Sequence, residues 1–177
     1  LLNIILDAGI TNYNNRNISQ HQHLVSKHFS GIIMLRFLLA GAYVLISLIL
    51  GMAIGYSKED IHLLIILLAN QFFISFILYL RSNLSGLHLF KQDSIVSVTD
   101  RFLMILICGY LICYNNGTYL NIENFVHTQS ASYLITAVVA IVFLQGRISF
   151  QKLNWQPAFY IAILKKSLPF ALLILLM

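Results

Sequence analysis

Long apolar runs separated by short polar segments dominate the chain. Residues 32–54 contain one charge, Arg36, and residues 61–80 contain no Lys, Arg, Asp or Glu. Because a spanning helix needs about 20 predominantly apolar residues, both runs predict transmembrane helices. Two shorter runs, 96–114 and 130–149, predict further spans. The apolar runs at the two ends, 1–6 and 168–177, predict helices cut by the limits of the sequence, so we expect a partial chain.

The segments between these runs have patterns of their own. The polar residues between 54 and 61 predict a helical hairpin turn in which Ser57 or Asp60 is the N-cap of the next helix. The turn-rich stretch 8–15 predicts a structured connection. Residues 153–166 predict an amphipathic helix on the membrane surface, with Pro157 in its first turn. Its apolar positions recur at near-helical spacing before two lysines: Trp155, Phe159, Ala162, Ile163.

Composition excludes two broad classes of protein. The chain is 59% hydrophobic and 10% charged, with a mean hydropathy of +0.81. Soluble domains are about 45–50% apolar and about 25% charged, so a water-soluble globular domain is excluded. Disorder requires low hydrophobicity and is excluded as well. The expected fold class is therefore all-α, a polytopic transmembrane helix bundle.

The positive charges are distributed unevenly among the connecting segments. Nine of the 11 Lys and Arg residues lie in segments 7–31, 81–101 and 145–167, whereas the alternate connections contain only Lys58. Basic residues concentrate in cytoplasmic loops of membrane proteins. We therefore expect these three segments to be cytoplasmic.

Arg36 is the remaining basic residue and the main candidate for a functional site. A charge at the centre of a spanning helix costs about 2.5–3.5 kcal/mol, so such a residue usually faces protein or a wet cavity. At helical spacing Arg36 shares a face with Tyr43 and Ser47, as well as with small residues. This face predicts a basic group that binds an anion from an aqueous path. The alternative is that Arg36 extends to the lipid headgroups and that the small residues serve helix packing.

In the second span Gln71 shares a face with Ser75 and Ser82. Neutral polar side chains at such positions usually form hydrogen bonds between helices, although Gln71 is also a candidate for substrate contact. The candidate substrate-binding residues are therefore Arg36, Tyr43, Ser47 and Gln71.

No motif in the sequence indicates catalysis, a cofactor or a metal site. The six histidines have no cysteine or carboxylate at zinc-site spacing, and two of them, His21 and His23, do not share a helix face. Phosphate-binding, nucleophile-elbow and zinc-protease motifs do not occur. We therefore expect no enzyme activity, no catalytic residues, no cofactor, no metal and no nucleic-acid partner.

Five strings follow one another in order over nearly the whole chain: Asp7-Ala8-Gly9-Ile10, Asn17-Ile18-Ser19, residues 79–90, residues 93–101, and Leu168-Pro169-Phe170-Ala171. In this order they resemble bacterial polysaccharide and O-antigen flippases of the multidrug/oligosaccharidyl-lipid/polysaccharide exporter superfamily.

This resemblance implies a MATE-like fold of two pseudo-symmetric lobes, of which the chain would form most of the N-terminal lobe. It implies a multi-pass protein of the bacterial inner membrane, which moves undecaprenyl-pyrophosphate-linked oligosaccharides from the cytoplasmic to the periplasmic leaflet for polysaccharide biosynthesis. The implied partners are the lipid-linked oligosaccharide, membrane lipids and a coupling cation.

Two other function classes stay open. A multidrug or cation antiporter of the same superfamily would need carboxylates within the membrane. The charged residue in the predicted spans 32–54 and 61–80 is instead a cation, Arg36. An integral-membrane lipid-modifying enzyme would need an acid–base pair or a metal cluster at the membrane face. The positive charge suits an anionic substrate and favours the flippase.

Overall fold

The fold is all-helical. A computed structural model describes residues 6–22, 25–114, 121–148 and 157–176. Within these ranges lie α1 (Ile10–Gln20), α2 (Val25–Ile54), α3 (Lys58–Gly86), α4 (Phe90–Tyr114), α5 (Ile122–Gln145) and α6 (Pro157–Leu176). Four predicted helices lie partly outside the described residues. The undescribed parts are residues 1–5 of 1–6, residue 149 of 130–149, residues 153–156 of 153–166 and residue 177 of 168–177.

Four of the helices are long and apolar enough to cross a membrane. These segments are His28–Ile54 in α2, all of α3, Phe90–Cys113 in α4, and all of α5. Each overlaps one of the four internal apolar runs found in the sequence. They indicate a multi-pass membrane protein.

The helices extend well beyond the apolar runs. α3 ends at Gly86 and α4 begins at Phe90, so the connection predicted at 81–101 shortens to three residues. A helix of 29 residues such as α3 is about 44 Å long, whereas the hydrocarbon core is about 30 Å thick. The polar turns at the helix ends therefore lie at headgroup depth, where water hydrates them.

The segment predicted as a turn-rich connection is mostly helical. Ile10, Asn14 and Ile18 are the buried residues of α1 and recur every four positions. This stripe packs α1 against α3, so tertiary contact stabilises a helix whose asparagine-rich sequence has low intrinsic propensity.

A capping box begins α3. The Ser57 hydroxyl accepts a hydrogen bond from the Asp60 amide at 3.2 Å, and the Asp60 carboxylate accepts one from the Ser57 amide at 3.1 Å. Ser57 is therefore the N-cap, and Asp60 completes the box from the first turn of the helix.

α6 is continuous where the sequence predicted two elements, a surface helix ending at residue 166 and a membrane helix beginning at 168. The described part of α6 begins at Pro157 and passes through Pro169 without ending, and the predicted start at residue 153 lies outside the described residues. A proline removes one backbone hydrogen bond but does not by itself end a helix that has other contacts. Such a contact exists here, because the Phe170 ring lies 6.3 Å from that of Tyr13 in α1.

α3 lies at the centre of the bundle and packs against α1, α2, α4 and α5, while α6 packs against α1 and α2. The side chains of Tyr79, Leu80 and Leu84 in α3 are completely buried. α4 is at the periphery, and much of its apolar surface is exposed. In a bilayer such a surface faces lipid.

Candidate functional site

Arg36 lies inside the bundle with only 2% of its surface exposed. Its Nη2 atom donates to Asp7 Oδ1 at 2.6 Å and to Thr11 Oγ1 at 2.7 Å. Its Nη1 atom donates to the hydroxyl of Ser75 at 2.6 Å and to the carbonyl of the same residue at 2.8 Å. The guanidinium of α2 is thus bonded both to α3 and to the polypeptide around the start of α1.

The ring of Tyr79 covers one face of the guanidinium. The Arg36 Cζ atom lies 4.9 Å from the ring centroid, a distance at which the cation is attracted by the π-electrons. The Tyr79 hydroxyl donates to the Phe29 carbonyl at 3.2 Å and holds the ring in place. Arg36 Nε is buried, and no acceptor for it lies in the described part of the chain.

A left-handed turn brings Asp7 into this position. Asp7 is helical, and Ala8 and Gly9 follow with φ values of 44° and 73°. Thr11 donates to Asp7 Oδ1 through both its hydroxyl and its amide. Thr11 and the Arg36 cation, which lies 2.6 Å away, together stabilise the carboxylate.

A layer of neutral polar groups continues from this ion pair along α3. The Asn14 side-chain amide in α1 donates to Ser82 Oγ at 2.9 Å and to Asn83 Oδ1 at 3.3 Å. Ser82 and Asn83 each donate in turn to the carbonyl of Tyr79. The Ser75 and Ser82 face of α3 therefore bonds helices together, as the sequence suggested for its neutral polar residues.

A small cavity adjoins the ion pair. Its volume is about 110 Å³, and its polar lining consists of Asp7, Gln71 and Ser75. This space is large enough to hold water. The Asp7 side chain is 25% exposed, so the pair is accessible from the side of Asp7 and closed on the side of Arg36.

The four candidate residues from the sequence fall into two groups. Gln71 lines the cavity beside Ser75, which bonds Arg36. Tyr43 and Ser47 lie two and three turns further along α2, and both are buried with 8% exposure. Tyr43 packs in a second, apolar cluster with Leu6, Ala40 and Leu68.

Of the two interpretations of Arg36 that the sequence left open, extension to the lipid headgroups is wrong, and binding of an anion from an aqueous path stays a prediction. The side chain does not extend to the surface, because it is 2% exposed, and both terminal nitrogens are bonded within the protein. Sequence reasoning missed Asp7 as its partner. A signal was present: an arginine within a membrane needs a counter-charge, and Asp7 directly follows the apolar run 1–6.

The chemistry of this site is that of a neutral ion pair in a polar layer, beside a cavity of water-sized dimensions. Within the described ranges, no three His, Cys, Asp or Glu side chains are grouped so that they could hold a metal ion. Comparison with known protein families, with curated proteins and with solved structures finds no match to this chain.

Proposed function

We propose that the chain is part of a flippase with a MATE-like fold, which moves an undecaprenyl-pyrophosphate-linked oligosaccharide from the cytoplasmic to the periplasmic leaflet of a bacterial inner membrane. One observation carries the proposal. The strings that resemble polysaccharide flippases are scattered between residues 7 and 171, and in the folded chain they contact one another.

These contacts are close and specific. A Cβ atom placed on Gly9 would lie 2.6 Å from the carbonyl oxygen of Ser167 and 2.5 Å from the amide nitrogen of Ala171. The first string therefore packs closely against the last because glycine has no side chain. A Cβ atom on Gly86 would lie 2.7 Å from Cγ2 of Ile18. If the strings are shared with the flippases because they pack helices together, they are expected to contact one another in the folded chain.

An ion pair joins two further strings. Arg81 Nε lies 2.7 Å from Asp93 Oδ1, across the short connection between α3 and α4. The strings therefore coincide with the contacts that set the packing of α1, α3, α4 and α6. This agreement supports a shared scaffold, and the transport function follows from the resemblance.

Arg36 is proposed to bind the pyrophosphate during transport. Its guanidinium presents a planar fork of donors that matches phosphate oxygens. In the present conformation Asp7 and Ser75 occupy this fork, and the adjoining cavity of about 110 Å³ does not admit a lipid-linked sugar. Binding therefore requires the helices to separate and the phosphate to replace the Asp7 carboxylate on Arg36.

The antiporter is the second candidate, because Asp7 is a carboxylate beside a cavity. A coupling cation needs a carboxylate with available negative charge. The Asp7 charge is already compensated by Arg36 at 2.6 Å, which favours the flippase over the antiporter.

Complementation tests the proposed function. A bacterial strain that lacks its own O-antigen flippase is supplied with this protein, and surface polysaccharide is measured together with membrane abundance. Restored polysaccharide supports the proposal. Normal abundance without polysaccharide in strains of several O-antigen types would overturn it.

The role of Arg36 is tested in the same strain. Arg36→Ala is combined with Asp7→Asn so that no charge is left unpaired, and Arg36→Lys, which keeps the charge but loses the planar fork, serves as reference. We expect the double variant to lose export while the lysine variant keeps part of it. Arg101→Ala is the matched control, since that side chain is 70% exposed. Export by the double variant at the level of the control would assign the pyrophosphate to other residues.

A further inference from the structure

Three hydrogen-bond donors converge on one oxygen atom, Asp7 Oδ1. Arg36 Nη2 donates to it at 2.6 Å, the Thr11 amide donates at 3.3 Å, and the Thr11 hydroxyl donates as well. Arg36 Nη2 also donates to Thr11 Oγ1 at 2.7 Å, so these two residues are bonded to each other. The carboxylate is therefore held jointly by a cation of α2 and by the first turn of α1.

These donors are of the kind that binds phosphate. Thr11 is the second residue of α1, so its amide has no acceptor within the helix, and the N-cap residue Gly9 has no side chain that could provide one. Free amides at the start of a helix bind carboxylates and phosphates alike. Arg36 adds a guanidinium, whose hydrogen bonds to phosphate are among the strong ones in proteins. Asp7 therefore occupies a site that also suits a phosphate group.

Part of the donor capacity of this site is unused while Asp7 occupies it. Arg36 is 2% exposed, yet its Nε atom has no acceptor within the described part of the chain. A pyrophosphate has more acceptor oxygens and more negative charge than one carboxylate, so it accepts more charge-assisted hydrogen bonds from the same donors. The buried cation is then compensated at least as well as it is by Asp7.

Asp7 has a place to which it can withdraw. Its side chain is 25% exposed and lines the cavity of about 110 Å³ that it shares with Gln71 and Ser75. Water that enters this cavity can hydrate a carboxylate that is no longer bonded to Arg36. Exchange of the carboxylate for a phosphate therefore leaves neither charge without a partner.

We propose that the Asp7 carboxylate is an internal competitor for the substrate pyrophosphate, and that Thr11 binds the pyrophosphate together with Arg36 once Asp7 has withdrawn. This inference rests on the proposed function, in which a phosphate replaces Asp7 on Arg36. It adds Thr11 as a substrate ligand and gives Asp7 a regulatory role. Because the Asp7–Arg36 bond must break first, the substrate is bound less tightly than the donors alone would allow, which favours its release.

Equilibrium dialysis of the purified chain against radiolabelled inorganic pyrophosphate tests the competition. Asp7→Asn keeps the shape of the side chain but removes its charge. We expect this variant to bind pyrophosphate about tenfold more tightly than the unaltered chain, because the Arg36 cation no longer has its internal partner. An affinity that is unchanged or lower would overturn the proposal.

Thermal unfolding of Asp7→Asn provides a second measurement, in case the unpaired arginine destabilises the variant. Pyrophosphate should raise its melting temperature and should raise that of the unaltered chain much less, because a ligand stabilises the state that it binds. If Asp7→Asn stays unfolded even in saturating pyrophosphate, the anion does not replace the carboxylate and the proposal is wrong.

Two variants at Thr11 test its role as a ligand, both in the Asp7→Asn background. Thr11→Val removes the hydroxyl with little change in volume, whereas Thr11→Ser keeps it. We expect the valine variant to lose most of the affinity that Asp7→Asn gains and the serine variant to retain it. Equal pyrophosphate affinities of the two variants would remove Thr11 from the site.

Asp93→Asn is the matched control, because Asp93 is also paired with an arginine and is 21% exposed, close to the 25% of Asp7. Its pyrophosphate affinity should equal that of the unaltered chain. An increase as large as that of Asp7→Asn would mean that any uncovered arginine binds the anion, and would overturn the proposal.

A competition experiment separates this inference from the proposed function. Undecaprenyl pyrophosphate should displace the inorganic ion from Asp7→Asn, and undecaprenol, which has no phosphate, should not. If the inorganic ion binds as expected but the lipid does not displace it, the competition between Asp7 and an anion is confirmed and the flippase substrate is wrong.

Discussion

Asp7 Oδ1 and Arg36 Nη2 lie 2.6 Å apart, although 29 positions and the whole of α1 separate the two residues in the sequence. Arg36 lies within His28–Ile54, the part of α2 that is long and apolar enough to cross a membrane. The pair connects the turn before α1 to the interior of the helix bundle. It adds to the packing of α1 against α3.

Breaking this ion pair from one side should strongly destabilise the chain. Arg36→Ala leaves the Asp7 carboxylate without its counter-charge, and removal of one partner of a buried pair costs about 3–5 kcal/mol. The double variant Asp7→Asn with Arg36→Met should recover most of this loss, because no charge remains. Unfolding in detergent, followed by circular dichroism, measures both effects. Lys58→Ala is the control, because Lys58 is exposed at the start of α3 and its replacement should change the stability by no more than about 0.5 kcal/mol. An Arg36→Ala variant as stable as this control would contradict the prediction.

Gly9→Ala should also destabilise the chain. Gly9 has a φ of 73°, a conformation that costs other residues about 1–2 kcal/mol, and the new methyl group would meet backbone atoms of α6. Overpacking adds about 1–3 kcal/mol. Gly41→Ala is the matched control, because nothing lies within 4 Å of its Cβ position. Thermal unfolding of the two variants should differ in sign, since alanine improves helix propensity at Gly41. Equal melting temperatures would mean that α6 can move away from the turn at Gly9.

A second buried contact lies between α3 and α5. Asn70 is 2% exposed; its amide donates to the Val126 carbonyl at 3.2 Å, and its oxygen accepts from the Ser130 hydroxyl at 2.6 Å. In a double-mutant cycle, Asn70→Leu and Ser130→Ala should show a coupling of about 1 kcal/mol in unfolding free energy. The same cycle with Thr99→Ala, whose hydroxyl bonds within its own helix, should show none. If the two cycles gave equal coupling energies, the hydrogen bond between Asn70 and Ser130 would not stabilise the packing of α3 against α5.

The charge distribution predicts the orientation of the chain in the membrane. Tyr56 lies between α2 and α3 on the side expected outside, and Gln145 ends α5 on the side expected in the cytoplasm. With Cys108 and Cys113 replaced by alanine, Tyr56→Cys should react with an impermeant thiol reagent in intact cells. Gln145→Cys should react only after the membrane is opened. The reverse result would invert the orientation.

Local sequence patterns predicted the four membrane helices well, because a helix in lipid must be apolar over its whole length and its side chains need no particular partner. The N-cap of α3 was also visible as one of two candidates, Ser57 and Asp60, since it depends on a few neighbouring residues. The extension of α6 through Pro169 was not visible, because the packing that compensates a proline lies on another helix.

The site was only half predictable for the same reason. The position of Arg36 in an apolar run indicated that it must have a partner inside the protein or face water. The identity of that partner depends on the turn at Ala8 and Gly9, which redirects the chain so that Asp7 faces α2. No periodicity within α2 contains this information. The shared face of Ser75 and Ser82 was visible, but not the helices that it bonds.

The position of Asp7 ahead of Arg36 in the chain has a consequence for biosynthesis. The ribosome makes the carboxylate 29 residues before the arginine, so the negative charge is already present at the membrane when α2 emerges. Ser75 follows only with the second half of the hairpin. The costly arginine can therefore enter the bilayer as one half of a neutral pair, and the order of synthesis itself lowers the barrier to insertion of α2.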